Sequence, residues 1–248
     1  HISDVIGSLN ELGLNAMLNN LTTSVYAPHK NYNMFQNILS QGILSLLPER
    51  RRLAITLCLE ISDNKIINSN IVKNIIINHK AFSYEDFEQH HFYNKKNPIN
   101  PIIDVIKNLK YPGLESRFNT YFDSHKLIEK LMVIYNCEVV KILHQTGLKP
   151  VYRVHQMVDT INPEKKVPRE LEKFLSIIRN KSAIYTFDSS NTKHAALGID
   201  NYTHFTSPIR RYVDCYNHRL VHNMLNNENE IIPISLDKIN SFNSRVKK

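Results

Sequence analysis

Tryptophan is missing from this 248-residue chain, and only 6 glycines and 3 cysteines are spread along it. Cys58, Cys137 and Cys215 are isolated and odd in number. No two of them have the spacing of a zinc-ligand pair, and the reading is a reducing compartment, the cytoplasm. No apolar run is long enough to cross a bilayer as a helix, and no secretory leader opens the sequence. No membrane partner is therefore expected. Internal repeats and clustered carboxylates are lacking too, so no metal site is expected within the chain. His218 and His222 stand four apart, like two zinc ligands, but no Glu follows the first His. The zinc-protease pattern fails.

Apolar residues make up 42% of the chain, enough to fill a core and to exclude wholesale disorder. The formal net charge is +8. A charge of that sign favours a polyanionic partner, most simply nucleic acid, although basic proteins of membrane surfaces share it. Ile, Asn and Lys are abundant, as in proteins from AT-rich genomes such as those of protists or large DNA viruses.

Strand patterns come first along the chain. Apolar residues alternate from Leu53 to Ile61, Asp63-Asn64 forms a turn, and Ile66–Ile77 returns as a second strand. A loop with a short helix follows from about Asn94 to Leu114, punctuated by Pro98, Pro101, Pro112 and Gly113. Asp123 or Ser124 caps a long helix that Gly147 and Pro150 stop. Pro168 opens another, and Leu236–Val246 forms a last one. The fold class read from this order is α+β.

The densest stretch runs from His194 through Leu197-Gly198, Tyr202, His204, Thr206-Ser207-Pro208-Ile209-Arg210-Arg211-Tyr212 and Asp214 to His218-Arg219. Ser207 reads as a helix N-cap and Pro208 as the first helical residue. Ile209, Tyr212, Val213, Tyr216, Leu220 and Met224 make one apolar face. Arg210 and Arg211 then fall in the first turn, beside free backbone N–H groups and the positive end of the helix dipole, where an anion such as phosphate binds. The plainer reading pairs Arg210 with Asp214 four residues on.

This stretch resembles the signature of the RNB family of exoribonucleases, which includes RNase II, RNase R and the exosome catalytic subunit. Other segments resemble the family in the same order. They are His1-Ile-Ser-Asp4-Val5, Thr23-Ser-Val-Tyr26-Ala-Pro, His79-Lys-Ala-Phe-Ser-Tyr84-Glu, Leu127-Ile-Glu129 through Asn136, and Tyr152-Arg153-Val-His155. The chain departs from the pattern at Asn33-Met34-Phe35-Gln36, where the family has Pro-Met-Leu-Pro, and at Lys130, where it has a second Glu.

The resemblance implies a mixed sheet wrapped by helices around an RNA channel. Residues 1–248 would be most of one RNB domain. Its metal-binding Asp cluster would lie upstream of residue 1, with OB-type domains on either side. The implied activity is 3′→5′ hydrolysis of single-stranded RNA with Mg²⁺, releasing nucleoside 5′-monophosphates, in a larger RNA-processing or viral assembly. The other readings are a catalytically inactive RNB-like RNA-binding or scaffold protein, and a DNA-directed phosphodiesterase.

Residue roles follow from the same resemblance. Arg210 sits at the family's catalytic arginine, and a guanidinium there can bridge two phosphate oxygens. Tyr26 matches an aromatic that holds the RNA 3′ end, and Tyr84 a Tyr close to the bound ribose; each could otherwise be a packing residue. Glu129 would accept from a ribose 2′-OH, or be an exposed helix Glu. His155, His204, Thr206, Ser207 and Arg211 complete the implied RNA contacts. The Arg50-Arg51-Arg52 run offers phosphate contacts or is a solvated charge run.

Overall fold

The structure, a computed structural model, describes residues 1–19, 21–92, 99–115, 117–118, 122–155 and 183–246. The helix expected from Pro168 lies outside them. Three antiparallel strands form the main sheet, in the order β1 (Ile2–Ser3), β4 (Arg51–Ser62), β5 (Lys65–Ile77). Asp63 and Asn64 close the β4–β5 hairpin, with φ of 51° and 59°. Two successive left-handed residues match the twist of the strands they join, and short Asx side chains tolerate them. Short ribbons β2 (Val25–Ala27) with β3 (Lys30–Tyr32) and β6 (Tyr152–Val154) with β7 (Ile184–Thr186) complete the strands.

Among the helices are α1 (Val5–Glu11), α2 (Tyr84–Phe87), α3 (Asn100–Asn108), α4 (Ser124–Gln145), α5 (Tyr212–Asn226) and α6 (Leu236–Val246). Asp123 caps α4, its carboxylate accepting from the Lys126 N–H at 2.8 Å. This helix is the hub. Its Ile134 and Cys137 pack with Tyr111, Leu114 and Tyr202, and its Tyr135, Val139 and Leu143 pack with Ile55, Ile71 and Phe205. Polar groups fix the packing. Asn136 donates to the Tyr202 hydroxyl at 3.0 Å and accepts from the Phe205 N–H at 2.9 Å. Tyr135 donates to the Ile55 carbonyl at 2.9 Å, tying α4 to the sheet.

Lys130 has a structural role of its own. It is buried in α4 and donates to the Lys107 carbonyl at 3.0 Å, near the C-terminal end of α3. A cation suits that negative helix end. Burial lowers its pKa, the charge of Glu115 opposing.

The start of α5 corrects the sequence reading. The helix begins at Tyr212, and Ser207 does not cap it. Residues 207–210 form a turn in which the N–H groups of Arg210 and Arg211 both reach the Ser207 carbonyl at 3.1 Å. Arg211 is extended, with φ −134° and ψ 123°, because it bridges to Thr23. An extended residue cannot propagate a helix, so helical conformation starts one residue later. Nor does α5 expose a polar face as an amphipathic helix would. Asp214, Asn217, His218, Arg219, His222 and Asn223 are all buried.

Most of those buried polar groups find partners, although His218 Nδ1, Arg219 Nε and Asn223 Oδ1 have none among the described residues. His222 Nε2 lies 2.8 Å from Asp4 Oδ1, and His218 Nε2 lies 2.9 Å from the Phe205 carbonyl. The His218 ring stacks on Phe205 at 3.9 Å. The two histidines thus lock α5 to α1 and to the signature loop. No group of three or more His, Cys, Asp or Glu among the described residues could hold a metal ion. No helix among the described residues is long and apolar enough to cross a membrane.

Candidate functional site

The site grows from one buried carboxylate. Asp214 is fully enclosed. It accepts from the Ser207 N–H at 2.8 Å, from Arg211 Nε at 2.8 Å and from Arg211 Nη2 at 2.7 Å. The pair expected for Arg210 is therefore made by Arg211, three residues before the acid. The extended backbone of Arg211 turns its side chain back over the first helical turn. Arg210 is exposed and forms no ion pair with a carboxylate among the described residues.

The Arg210 carbonyl is clamped by the segment that precedes β2. It accepts from the Ser24 N–H at 2.9 Å and from the Thr23 hydroxyl at 2.9 Å. The Tyr212 N–H adds a bond to the Thr22 carbonyl at 2.9 Å. These bonds bring β2, and with it Tyr26, against the signature loop, although the two are nearly 190 residues apart in the chain.

Two cavities meet there. One, of about 370 Å³, is lined by Tyr26, Thr206, Ser207 and Arg210 together with His1 and Ser24. The Thr206 hydroxyl is buried there with no hydrogen-bond partner among the described residues. The other, of about 260 Å³, is lined by Tyr26 and Arg210 again, with Arg153, Tyr185, His204 and Arg211. Ser24, Tyr26 and Arg210 are the wall that the two share. Among the described residues, no Asp or Glu lines either cavity. The cleft is thus cationic, with an exposed aromatic ring at its rim. Such a surface can neutralise phosphates and stack a base.

His204 Nδ1 lies 2.8 Å from the Tyr185 hydroxyl. Burial pushes its pKa well below the ordinary 6.5, and the charges of Arg211 and Arg153 push the same way. It is a neutral imidazole at working pH. His155 is buried and stacks on His194 at 5.4 Å. His194 meets Tyr202, and Tyr202 meets His204, edge to face. His155 thus reaches the cleft through a chain of rings and lines neither cavity.

Tyr84 and Glu129 form a separate group at the start of α4. Tyr84 is exposed and stacks on His125 at 3.7 Å. Glu129 accepts from Arg117 Nε at 2.7 Å and from Lys126 Nζ at 2.9 Å. Partial burial would raise its pKa, but the bonds from Lys126 and Arg117 outweigh that and hold it below the usual carboxylate range. Its carboxylate is already matched by two cations. Neither residue lines the two cavities. In the Arg50–Arg52 run, Arg52 is engaged with the backbone, donating to the Ser45 and Gly42 carbonyls.

Sequence reasoning missed Arg153 and Tyr185 as cleft residues. The first lay in a quoted motif, Tyr152-Arg153-Val-His155, but nothing local marks where its guanidinium goes. The second stands in a short strand with no pattern of its own.

The RNB domain matches this chain over residues 1–111 and 96–227. Among curated relatives, Ribonuclease R 1 of Lactococcus lactis is 25% identical over 263 residues, covering 80% of this chain and 32% of that protein. The structure titled Mycoplasma genitalium RNase R in complex with ribose methylated single-stranded RNA superposes with a TM-score of 0.74 at 20% identity. It covers 99% of this chain and 50% of that one. Yeast Ssd1, described as a pseudonuclease, superposes with a TM-score of 0.66 at 15% identity, over 91% of this chain and 35% of that one. The chain therefore spans about a third of the curated relative and half of the RNase R structure. The match covers the sheet, the hub helix α4 and the signature loop that carries Arg210, and this chain belongs to the RNB domain family.

Proposed function

We propose that the protein containing this chain is a 3′→5′ hydrolytic exoribonuclease acting on single-stranded RNA and releasing nucleoside 5′-monophosphates. The observation that carries the reading is the wall of Ser24, Tyr26 and Arg210 shared by two cavities that, among the described residues, no carboxylate lines and in which Arg210 forms no ion pair. Tyr26 stacks the terminal base, which needs no particular sequence. Arg210 contacts the scissile phosphate and stabilises the charge that builds on its oxygens during attack. Thr206 and Ser207, on the same wall, hold the sugar-phosphate backbone. Arg211, tied to Asp214, sets the shape of the loop.

The family reading carries Mg²⁺, which would activate the attacking water and stabilise the leaving oxygen. The described residues do not make such a site. Asp4, the carboxylate near His1, is buried against His222 and the Gly7 N–H. In this reading the Mg²⁺ ligands are the carboxylates expected upstream of residue 1. The first test uses single-stranded RNA labelled at its 3′ end and the full-length protein. Labelled mononucleotide should appear at once with Mg²⁺ and not with EDTA, while DNA of the same sequence stays intact. Internal fragments, or equal loss of DNA, would sink the reading.

The second reading is an RNB-like protein that binds RNA without cleaving it. What favours it is Glu129, whose carboxylate is already engaged by Arg117 and Lys126 where an RNA hydroxyl would need it. Tight RNA binding with no product under Mg²⁺ would select it.

A further inference from the structure

Arg153 is the cleft residue with the least structural reason to be there. It lies on β6, mostly enclosed, with its guanidinium 4.4 Å from the centre of the Tyr185 ring. Its Nη1 is buried and has no hydrogen-bond partner among the described residues. It forms no salt bridge among the described residues, and the acid that serves the cleft, Asp214, is taken on both oxygens by Arg211. A ring face attracts a guanidinium, but less strongly than a buried charge without a partner is penalised. Burial pulls the Arg153 pKa below its ordinary value, and the neighbouring Arg211 charge adds to that. The residue remains charged in any working range.

The surroundings say what would satisfy it. Arg153 and Arg210 line one cavity, with Thr22, Thr23, Tyr185 and Asn243, and no carboxylate among them. His204 is neutral there and offers no competing charge. Two guanidiniums without acids in one cavity call for an occupant with at least two anionic groups. A nucleic-acid strand has one at every linkage. Tyr185 holds the Arg153 plane from one side, so the fork is fixed before a ligand arrives, which suits a planar two-point grip on phosphate.

We propose that Arg153 is a second phosphate-binding residue of the cleft, holding a phosphodiester further along the strand than the one Arg210 contacts. The proposal rests on the reading that this cleft takes single-stranded RNA. Arg211 does not serve this purpose, because its guanidinium is bound to Asp214. The grip keeps the strand in place while the terminal linkage is presented to Arg210.

The test uses the full-length protein in EDTA, so that binding is read without turnover. Single-stranded RNA oligomers carry one uncharged methylphosphonate at each linkage in turn. The wild type should lose about tenfold in affinity at two linkages. Arg153→Met should bind unmodified RNA about tenfold more weakly, with a slope of log affinity against log salt shallower by about 0.7. It should also be indifferent to one of the two sensitive linkages. Arg153→Lys, which keeps the charge and loses the fork, should recover the slope but not the full affinity. If Arg153→Met does not fold, the wild-type scan and Arg153→Lys decide. A wild type sensitive at one linkage only, or an Arg153 variant with an unchanged scan, overturns the proposal and leaves the function standing. A wild type that binds no single-stranded RNA overturns both.

Discussion

Asp214 decides which of two adjacent arginines is free. It binds Arg211 through both oxygens and also fixes the Ser207 N–H, so Arg210 is left for a ligand. Two predictions separate these roles. Arg210→Ala should lower turnover by about 10²–10³ and RNA affinity by only about tenfold, since its charge is matched more closely to the transition state than to the bound phosphate. Single-turnover rates at saturating RNA would check this, and near wild-type rates would remove Arg210 from the chemistry. Asp214→Ala should instead destabilise the fold by about 3–5 kcal/mol, because Arg211 stays enclosed without its partner. A urea titration whose midpoint does not move would show that water reaches and solvates Arg211.

Elements meet at two close approaches around α4. Gly113 has φ +84°, and a Cβ there would stand 2.5 Å from the Gly198 carbonyl oxygen. The loop carrying Tyr111 and Leu114 can lie against the signature loop only because that atom is missing. Gly113→Ala should cost about 1–3 kcal/mol through this overlap and the left-handed backbone. Equilibrium unfolding measures it, and a stability equal to wild type would mean that the two loops can separate freely. On the other side of α4, Lys130 bonds the α3 end where the family pattern has a Glu. The departure thus has a packing explanation, and it leaves Glu129 next to it facing Arg117 and Lys126.

At the scale of the whole molecule, enclosed histidines set the acid limit of stability. Burial lowers His218 to about 4, and burial with the charges of His155 and Arg153 lowers His194 to about 4. Both values lie below the ordinary 6.5. The unfolded chain therefore takes up protons first as the pH falls. Stability should be full above about pH 6.5 and decline towards pH 4, by on the order of 3 kcal/mol for the enclosed His218 alone. Asp4 adds a loss at lower pH. Burial would raise its pKa, but the bond from His222 outweighs that and depresses it, so its contribution goes as the pH drops below about 3.8. Urea midpoints taken across this range should fall on acidification, and less so in His218→Gln. A flat profile would show that these rings are not enclosed.

Much of this molecule was legible along the chain. Alternating apolar residues marked β4 and β5, and Asp63-Asn64 marked their turn, because such signals are local to a few residues. Asp123 or Ser124 marked the start of α4, with Asp123 the cap, and the last helix falls on its expected span, Leu236–Val246. The signature residues named the family, because they stand in one continuous run. What the sequence could not decide is which groups meet across distance. The α5 start moved to Tyr212 because Thr23, far away in the chain, pairs with Arg211 and holds it extended. Arg210 was freed because Asp214 chose its neighbour. Tyr26 met Arg210, and Arg153 joined them over Tyr185, while Tyr84 and Glu129 gathered elsewhere at the head of α4. Spacing fixes periodicity and capping through short-range sterics and backbone hydrogen bonds. Pairing of buried charges is fixed only when the packed chain removes water and leaves each group the partners within its reach.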